Sequence, residues 1–227
     1  AVNRAGRRFC NEAASYHDFV LAMFGDDGAP PSIPAWLVCS VAFVRRYGLG
    51  AILPGGRSLR RHRRTGYVTV ARTIDSLARR LGIDPAALEE TVAGHDRMAV
   101  LGVDEEYGKG TTIFDRFNGD VAVRPNPCLA PLGPGPYCAV EVWPAEIVSA
   151  LGLDADPAGR VLGRQGTPIP GLYACGNDMA SIMAGTAPGP GTTLGPGIVF
   201  GFRVAMAAAG KLRDEADAAL DRAEVHA

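Results

Sequence analysis

Residues Gly171–Gly201 read GLYACGNDMASIMAGTAPGPGTTLGPGIVFG, and this stretch decides how the rest of the chain is interpreted. Its pattern predicts a short strand, a polar turn, a segment rich in glycine and proline, and an apolar helix that opens on a second glycine cluster. Because glycine has no side chain, the backbone here can come close to a ligand. The stretch therefore predicts contact with a flat, electron-rich redox cofactor.

Two parts of this stretch offer suitable groups to such a ligand. Gly176 leaves room beside the backbone, and Asn177 offers both a donor and an acceptor directly after the predicted strand. Thr192–Gly195 begins the helix, whose free N–H groups and positive dipole end suit an acceptor that becomes anionic. The pyrimidine edge of a flavin is such an acceptor, because reduction places negative charge there, and fixed donors stabilise the reduced form.

The stretch does not contain a dinucleotide-binding fingerprint. Gly189-Pro190-Gly191 resembles the start of G-x-G-x-x-G, but Gly195 comes one residue too late to be its third glycine. In addition, no apolar strand directly precedes it, as that fingerprint requires. The ADP-binding part of a flavoprotein is therefore not predicted from this stretch.

Composition excludes several other classes of protein. A net charge of −1 provides no overall field that would attract nucleic acid or an acidic membrane. Five scattered cysteines without a C-x-x-C pair argue against a disulfide framework and against a metal site, and favour free thiols in the cytoplasm. No apolar run approaches the roughly 18 residues of a membrane span, so no integral membrane segment is expected.

Periodicity and capping residues predict a mixture of helices and strands. The elements are helices at 33–47, 74–83, 85–102 and 194–209, with strands at 137–143, 160–163 and 172–175. A polar tail of helical composition follows Gly210. The densest charge run, Arg57–Arg64, is interpreted as a solvated loop, because it lacks the interleaved aromatic residues of a nucleic-acid-binding module.

Several short motifs occur together in an order that is typical of one flavoprotein family. They are Val2–Phe9, Asn11-Glu12, Pro34–Leu37, Asn126-Pro127, Gly135–Tyr137, Pro168–Ala174, Gly176–Ser181, Pro188–Gly191 and Leu194–Pro196. With them, the chain resembles the C-terminal part of FAD-dependent 3-ketosteroid dehydrogenases and, more distantly, of fumarate reductases. The resemblance spans nearly the whole chain, which makes it far more specific than any one motif.

The resemblance implies an α+β and α/β architecture in two parts. Residues 1–145 would form most of a substrate-binding cap domain, and residues 146–227 the returning C-terminal segment of a Rossmann-like FAD-binding domain. The N-terminal nucleotide-binding half of such an enzyme is expected to be absent from this sequence. FAD is the implied cofactor, and the cofactor-binding residues would be Gly176, Asn177, Asp178, Gly191, Thr193, Leu194 and Gly195.

The resemblance also implies a reaction. The family removes a proton beside a ketone with a tyrosine and passes a hydride to flavin N5, while a tyrosine hydroxyl and a backbone N–H polarise the ketone. The proton-abstracting tyrosine falls at Tyr16 and the backbone donor at Gly191. The ketone-polarising tyrosine is replaced by Ala187, and a family Thr-x-Gly-Gly-Leu pattern has become Ser149–Leu153. The expected substrate is a steroid-like ketone or another activated carbonyl compound, and the electron acceptor is unknown.

Three alternatives remain open at this point. A fumarate-reductase-like enzyme would reduce an activated C=C bond and would need cations such as Arg116 or Arg124 to grip carboxylates. A non-catalytic flavoprotein fragment would bind nothing alone. A nucleic-acid-binding module would use Arg57–Arg64. Glu12, by contrast, is interpreted as an isolated carboxylate without a partner.

Overall fold

A computed structural model describes residues 1–25, 31–187 and 189–212. The chain divides into two compact units, Ala1–Ala145 and Glu146–Ala227. The predicted helical tail after Gly210 falls almost entirely outside the described residues.

The first unit contains six helices in its described residues. They are α1 (Tyr16–Phe24), α2 (Val41–Tyr47), α3 (Leu59–Arg64), α4 (Ile74–Leu81), α5 (Pro85–Leu101) and α6 (Ile113–Phe117). Helices α4 and α5 begin where their capping residues predict. The Thr73 hydroxyl accepts a hydrogen bond from the Ser76 N–H, and the Asp84 carboxylate accepts one from the Ala87 N–H.

A three-stranded antiparallel sheet lies among these helices. Its strands are β1 (Ala35–Ser40), β2 (Val68–Ala71) and β3 (Tyr137–Val142), with β3 in the centre. The predicted helix at 33–47 is therefore wrong over its first half, since residues 35–40 pair with β3 instead. The run WLVC is apolar enough for either a helix or a strand, and pairing with β3 decides the outcome. The Ser40 hydroxyl then accepts a hydrogen bond from the Phe43 N–H and starts α2.

Two hydrophobic clusters give the first unit its core. One joins the sheet to α4 and α5 and contains Leu77 and Leu88, which are both fully buried. The other packs α2 and the loop residue Ile52 against the opposite part of the sheet, with Val44 and Cys138 fully buried. This unit thus buries large side chains on both sides of a shared sheet, as an independent core requires.

The second unit is sparser. It contains β4 (Arg160–Leu162) and β5 (Pro168–Tyr173), a short 3₁₀ turn at Gly176–Asp178, and the helix α7 (Leu194–Ala208). Strands β4 and β5 pair antiparallel. The buried cluster consists of Val161, Ala174 and Met179. None of the residues of α7, which are mostly apolar, is buried in this unit.

Candidate functional site

The two parts of the Gly171–Gly201 stretch that were predicted to hold a cofactor are neighbours in the second unit. The 3₁₀ turn Gly176–Asp178 follows β5 and packs against α7. A Cβ placed on Gly197 would lie 3.6 Å from the Cα of Gly176, so the two backbones are close.

The glycines of these segments border open space. A Cβ built on Gly176, Gly191 or Gly195 would meet no atom within 4 Å. Gly191 has a φ of +91°, which residues with a side chain rarely adopt. Gly191 is thus needed for its backbone conformation, and the space beside it is available to a ligand.

The N-terminal end of α7 is open as well. Thr193, at the N-cap position, makes no side-chain capping hydrogen bond, and Leu194 is 67% exposed. Asn177 and Asp178 in the adjacent turn are also exposed. The Gly195 N–H donates to the Gly191 carbonyl at 2.8 Å and Pro196 has no N–H, so Thr193 and Leu194 are the residues that this helix end offers to a ligand. An exposed helix N-terminus beside a glycine turn fits an anionic or flavin-like acceptor, and the residues present are therefore compatible with FAD.

Gly152 plays a different structural role from these open glycines. A Cβ at this position would lie 2.5 Å from the carbonyl carbon of Met179. Close pairing is the reason: the Leu153 N–H donates to the Asp178 carbonyl at 2.8 Å, and the Ala180 N–H donates to the Leu153 carbonyl at 3.0 Å. Gly152 thereby lets the chain run directly along the Gly176–Asp178 turn, although the surrounding motif departs from the family pattern.

In the first unit, Tyr16 is the first residue of α1. Ser15 caps this helix, accepting a hydrogen bond from the Asp18 N–H at 3.1 Å and donating one to the Asp18 carboxylate at 2.9 Å. The Tyr16 side chain is 60% exposed. An exposed phenol at a helix N-terminus is accessible to a substrate.

The Asn11-Glu12 motif that precedes Tyr16 is tied into the unit by polar contacts. The Asn11 side-chain amide donates to the Asp115 carboxylate at 3.0 Å. Glu12 forms ion pairs with Arg8 at 3.2 Å and with Lys109 at 3.1 Å. The interpretation of Glu12 as an isolated carboxylate is therefore wrong. No signal for these pairs was available in the sequence, because residues 8–12 are not helical and Lys109 lies far from Glu12 along the chain.

A second ion pair, which is buried, fixes the position of Arg8 ahead of the Asn11-Glu12 motif. Arg8 donates to both oxygens of Asp104, at 2.8 and 2.7 Å, and their side chains are 4% and 0% exposed. Burial by itself raises the pKa of Asp104. The hydrogen bonds and charge of Arg8 and the backbone N–H groups of Lys109 and Tyr107 outweigh burial and bring this pKa below its ordinary value of 3.8. Sequence reasoning missed this pair because its partners are 96 positions apart.

A cleft of about 650 Å³ opens in the same unit. Its lining includes Glu12, Leu37, Phe43, His95 and Lys109, which combine apolar walls with charged groups. Burial lowers the pKa of His95, although the hydrogen bond with Asp96 opposes this, so His95 is neutral at pH 7. Tyr16 lies outside the lining of this cleft.

The structure also describes the Arg57–Arg64 charge run, the possible metal ligands and the length of the helices. Arg57–Arg64 is not simply a loop, since its second part is the exposed helix α3. No cluster of three or more His, Cys, Asp or Glu side chains within the described ranges has a metal-binding arrangement. None of the helices in the described part of the chain combines the length and apolar character that crossing a bilayer requires.

Comparison with known proteins identifies the relatives of this chain. A model of the FAD binding domain family matches residues 1–194. The chain is 37% identical over 203 residues to a 4-oxocyclohex-2-ene-1-carboxylate 5-dehydrogenase from Sinomonas cyclohexanicum, covering 89% of this chain and 34% of that protein. It is 37% identical over 210 residues to a 3-oxosteroid 1-dehydrogenase from Mycobacterium tuberculosis, covering 90% and 37% of the respective chains.

Solved structures agree with these relatives. A 3-ketosteroid delta1-dehydrogenase from Sterolibacterium denitrificans, in complex with 1,4-androstadiene-3,17-dione, matches with a TM-score of 0.85 and 39% identity over 93% of this chain and 38% of that one. A flavocytochrome c3 fumarate reductase matches with a TM-score of 0.56 and 22% identity over 94% of this chain and 32% of that one, which shows likeness of fold alone.

The chain spans about a third of the length of the curated relatives it matches. The mixed helix and strand composition agrees with the predicted fold class, and the resemblance to flavoproteins of the 3-ketosteroid dehydrogenase kind is confirmed. The chain belongs to the FAD binding domain family.

Proposed function

We propose that this chain is part of an FAD-dependent dehydrogenase that oxidises a CH–CH group beside a ketone. The single observation that carries the proposal is the open N-terminus of α7 beside the Gly176–Asp178 turn, in a chain whose family binds FAD. Relatives at 37–39% identity are named as dehydrogenases of 3-oxosteroids or of a cyclic keto acid. Residues 1–145 act as the substrate cap and residues 146–227 as a segment of the FAD-binding domain.

The cofactor side of the site is assigned to the second unit. Gly176, Asn177 and Asp178 line one side of the bound cofactor, and Thr193, Leu194 and Gly195 present the helix N-terminus to it. FAD, when bound, supplies the acceptor for the hydride. The exposed apolar surface of α7 supports this assignment, since Ile198, Val199 and Phe202 are each more than half exposed. Such a surface requires cover from further protein or cofactor.

The reacting groups on the substrate side are Tyr16 and Gly191. The Tyr16 phenolate accepts the proton from the carbon beside the ketone. The Gly191 N–H donates a hydrogen bond to the ketone oxygen, on which negative charge develops as the proton leaves. The positive φ of Gly191 orients this donor.

A second candidate substrate is a small cyclic keto acid in place of a steroid. Ala187 favours it, since the side chain lacks the phenol with which the resembling family polarises a steroid ketone. Two relatives, at 37% and 34% identity, are named as dehydrogenases of 4-oxocyclohexene and 4-oxocyclohexane carboxylates. The substrate is thus a cyclic ketone in both cases, and the size of the ring system distinguishes them.

Assays of the full-length protein test this proposal. Purified protein should carry FAD and reduce an artificial electron acceptor with a 3-ketosteroid or with 4-oxocyclohexanecarboxylate. Tyr16→Phe should lower kcat by roughly 10²–10⁴ without loss of FAD, as expected for a proton acceptor. Tyr137→Phe is the matched control, because its hydroxyl donates to the Gly133 carbonyl at 2.9 Å and serves no role in the reaction. Equal activity of Tyr16→Phe and the unmodified enzyme would refute the assignment.

A variant at position 187 distinguishes a steroid from a small keto acid as the substrate. Ala187→Tyr restores the phenol and should raise turnover of a 3-ketosteroid by up to roughly 10²–10³, by analogy with other donors to a developing oxyanion. Turnover of the small keto acid should not rise in parallel. If steroid turnover does not increase, the missing phenol is not the reason for any preference against steroids.

A further inference from the structure

Two cysteines that are 99 positions apart in the sequence face each other in the sheet of the first unit. Cys39 on β1 and Cys138 on β3 are direct partners in the antiparallel register. Their Sγ atoms lie 3.7 Å apart. The strand pairing, and not an accident of side-chain packing, brings the two thiols together.

This arrangement needs little change to form a disulfide. Direct partners in an antiparallel pair have Cα atoms about 4.5–5.5 Å apart, and disulfides span Cα distances of roughly 4.4–6.8 Å. The two sulfurs have to approach by less than about 2 Å to reach the bonded distance. Rotation of the side chains supplies this movement while the strand pairing stays intact.

The surroundings make the two thiols unequal. Cys138 is fully buried in the cluster with Val44 and Val140. Cys39 is half-buried and lines the 650 Å³ cleft. A small oxidant that enters the cleft therefore meets Cys39 first, and Cys138 lies directly behind it.

The other three cysteines lack this arrangement. Cys10, Cys128 and Cys175 all lie in the described residues, and none of them has a second sulfur within hydrogen-bonding distance. The Cys128 thiol donates to the Asp115 carbonyl at 3.1 Å instead. Any intramolecular disulfide of this unit is thus expected at one place.

We propose that Cys39 and Cys138 form a modification site, at which a hydroperoxide converts the thiol pair into a cross-strand disulfide. The Cys39 sulfur, as thiolate, attacks one peroxide oxygen, the O–O bond breaks, and hydroxide or alkoxide leaves. The Cys138 sulfur then displaces hydroxide from the resulting sulfenic acid and forms the S–S bond. Overall, two thiols lose two electrons and two protons, and the peroxide becomes water plus water or an alcohol.

The disulfide would join the edge strand β1 covalently to the central strand β3. Strand β1 also pairs with the start of the chain, since Val2 and Trp36 exchange two backbone hydrogen bonds of 2.9 Å. Closing a loop of about 100 residues constrains the unfolded state strongly. Oxidation should therefore raise the Tm of this unit by several degrees, up to about 10 °C.

Peptide mapping of the full-length protein tests the proposal. The folded protein is treated with hydrogen peroxide, remaining thiols are alkylated, and the protein is digested with chymotrypsin. Cleavage after Trp36 and Tyr137 separates Cys39 from Cys10 and Cys138 from Cys128. The expected product is a linked pair of peptides that contains Cys39 and Cys138 and is released by dithiothreitol, together with a higher Tm before reduction.

Matched variants sharpen the result. Cys39→Ser and Cys138→Ser should each abolish the linked peptide and the rise in Tm, whereas Cys128→Ser should retain both. Because the buried Cys138→Ser variant can fail to fold, the unmodified protein with and without dithiothreitol provides an independent reading. The proposal is overturned if Cys39 is overoxidised while Cys138 stays reduced, if Cys39 links to another cysteine, or if both thiols survive peroxide in the folded protein.

Discussion

The two units of this chain differ in how completely they bury their apolar residues. The first unit encloses Leu77, Leu88 and Val44 completely and adds a buried ion pair. The second unit buries Val161, Ala174 and Met179, and leaves the apolar helix α7 without a buried residue. Folding stability comes mainly from buried apolar area. The first unit therefore carries its own core, whereas the second unit has a small buried cluster and an exposed apolar helix.

This difference matches the roles proposed for the two units. A substrate cap has to hold Tyr16 in place, and the buried network around Arg8, Glu12 and Asp104 connects the preceding segment to the core. A returning segment of a larger FAD-binding domain contributes one surface to a core that other parts complete. Variants that disturb each unit separately test this division.

The largest effect is expected at the buried ion pair of the first unit. Asp104→Ala removes the fully buried partner of Arg8 and leaves the buried guanidinium with Glu12 and the half-exposed Glu106, which should lower the free energy of unfolding by up to about 3–5 kcal/mol. Urea denaturation followed by circular dichroism measures this change. Arg7→Ala is the matched control, because the Arg7–Glu90 pair is 52% and 66% exposed and should contribute less than about 1 kcal/mol.

The same pair has a predicted pH dependence. Because Arg8 lowers the pKa of Asp104 below 3.8 in the folded state, its stabilisation is complete above that pH. It is lost as the pH falls further through the folded-state pKa. Equal stability of Asp104→Ala and Arg7→Ala at neutral pH would contradict the importance of the buried network.

A second pair of variants compares the apolar residues of the two units directly. Leu88→Ala creates a cavity in the first unit and should cost about 2–5 kcal/mol. Phe202→Ala changes a side chain that is 65% exposed and should alter the stability of the 227-residue chain by less than about 0.5 kcal/mol. In the full-length protein, Phe202→Ala should become clearly destabilising. A negligible effect of Phe202→Ala there as well would contradict the view that α7 is covered.

Within the second unit, Gly152 should be intolerant of a side chain. Gly152→Ala places a Cβ 2.5 Å from the Met179 carbonyl carbon, and the strain should cost about 1–3 kcal/mol. Gly163→Ala is the control, because the nearest atom to its Cβ would be 3.6 Å away. Thermal unfolding and FAD content of the full-length variants measure both effects. Similar behaviour of the two variants would argue against close pairing along the Gly176–Asp178 turn.

The smallest predicted effect concerns His95. Burial lowers its pKa from 6.5, so below pH 6.5 the unfolded state takes up a proton that the folded state resists. This contribution to stability is complete above pH 6.5 and declines as the pH falls toward the folded-state pKa. His95→Gln should remove this contribution to the pH dependence of the free energy of unfolding. Between pH 5 and 7 the change should be roughly 1 kcal/mol or less. An unchanged slope would show that other groups cause it.

Local sequence signals predicted best those elements that depend only on contacts between neighbouring residues. The caps at Thr73 and Asp84 begin α4 and α5 as expected, since each capping group lies within three residues of the N–H it satisfies. Strand β1 was missed, because WLVC suits a helix or a strand and its partner β3 lies about 100 residues later. Long-range pairing of this kind is not visible in local periodicity.

The same distinction applies to the candidate site. The turn at Gly176–Asp178 and the helix that begins at Leu194 were predicted from their glycines, and they do lie side by side. The partners of Arg8 and of Cys39 were not predicted, because Asp104 and Cys138 are distant in sequence and reach them only through the folded unit. The roles of Tyr16 and Gly191 remain predictions that come from the family resemblance.

Anaerobic reduction of the bound flavin tests the central claim most directly. Full-length protein is mixed with a 3-ketosteroid or 4-oxocyclohexanecarboxylate, and loss of the oxidised-flavin absorbance is followed by stopped flow. The account predicts that one of these substrates bleaches the flavin of the unmodified protein, and that Tyr16→Phe retains its flavin but bleaches at least roughly 10²-fold more slowly. A protein without flavin, or a Tyr16→Phe variant that is reduced at the unmodified rate, would contradict it.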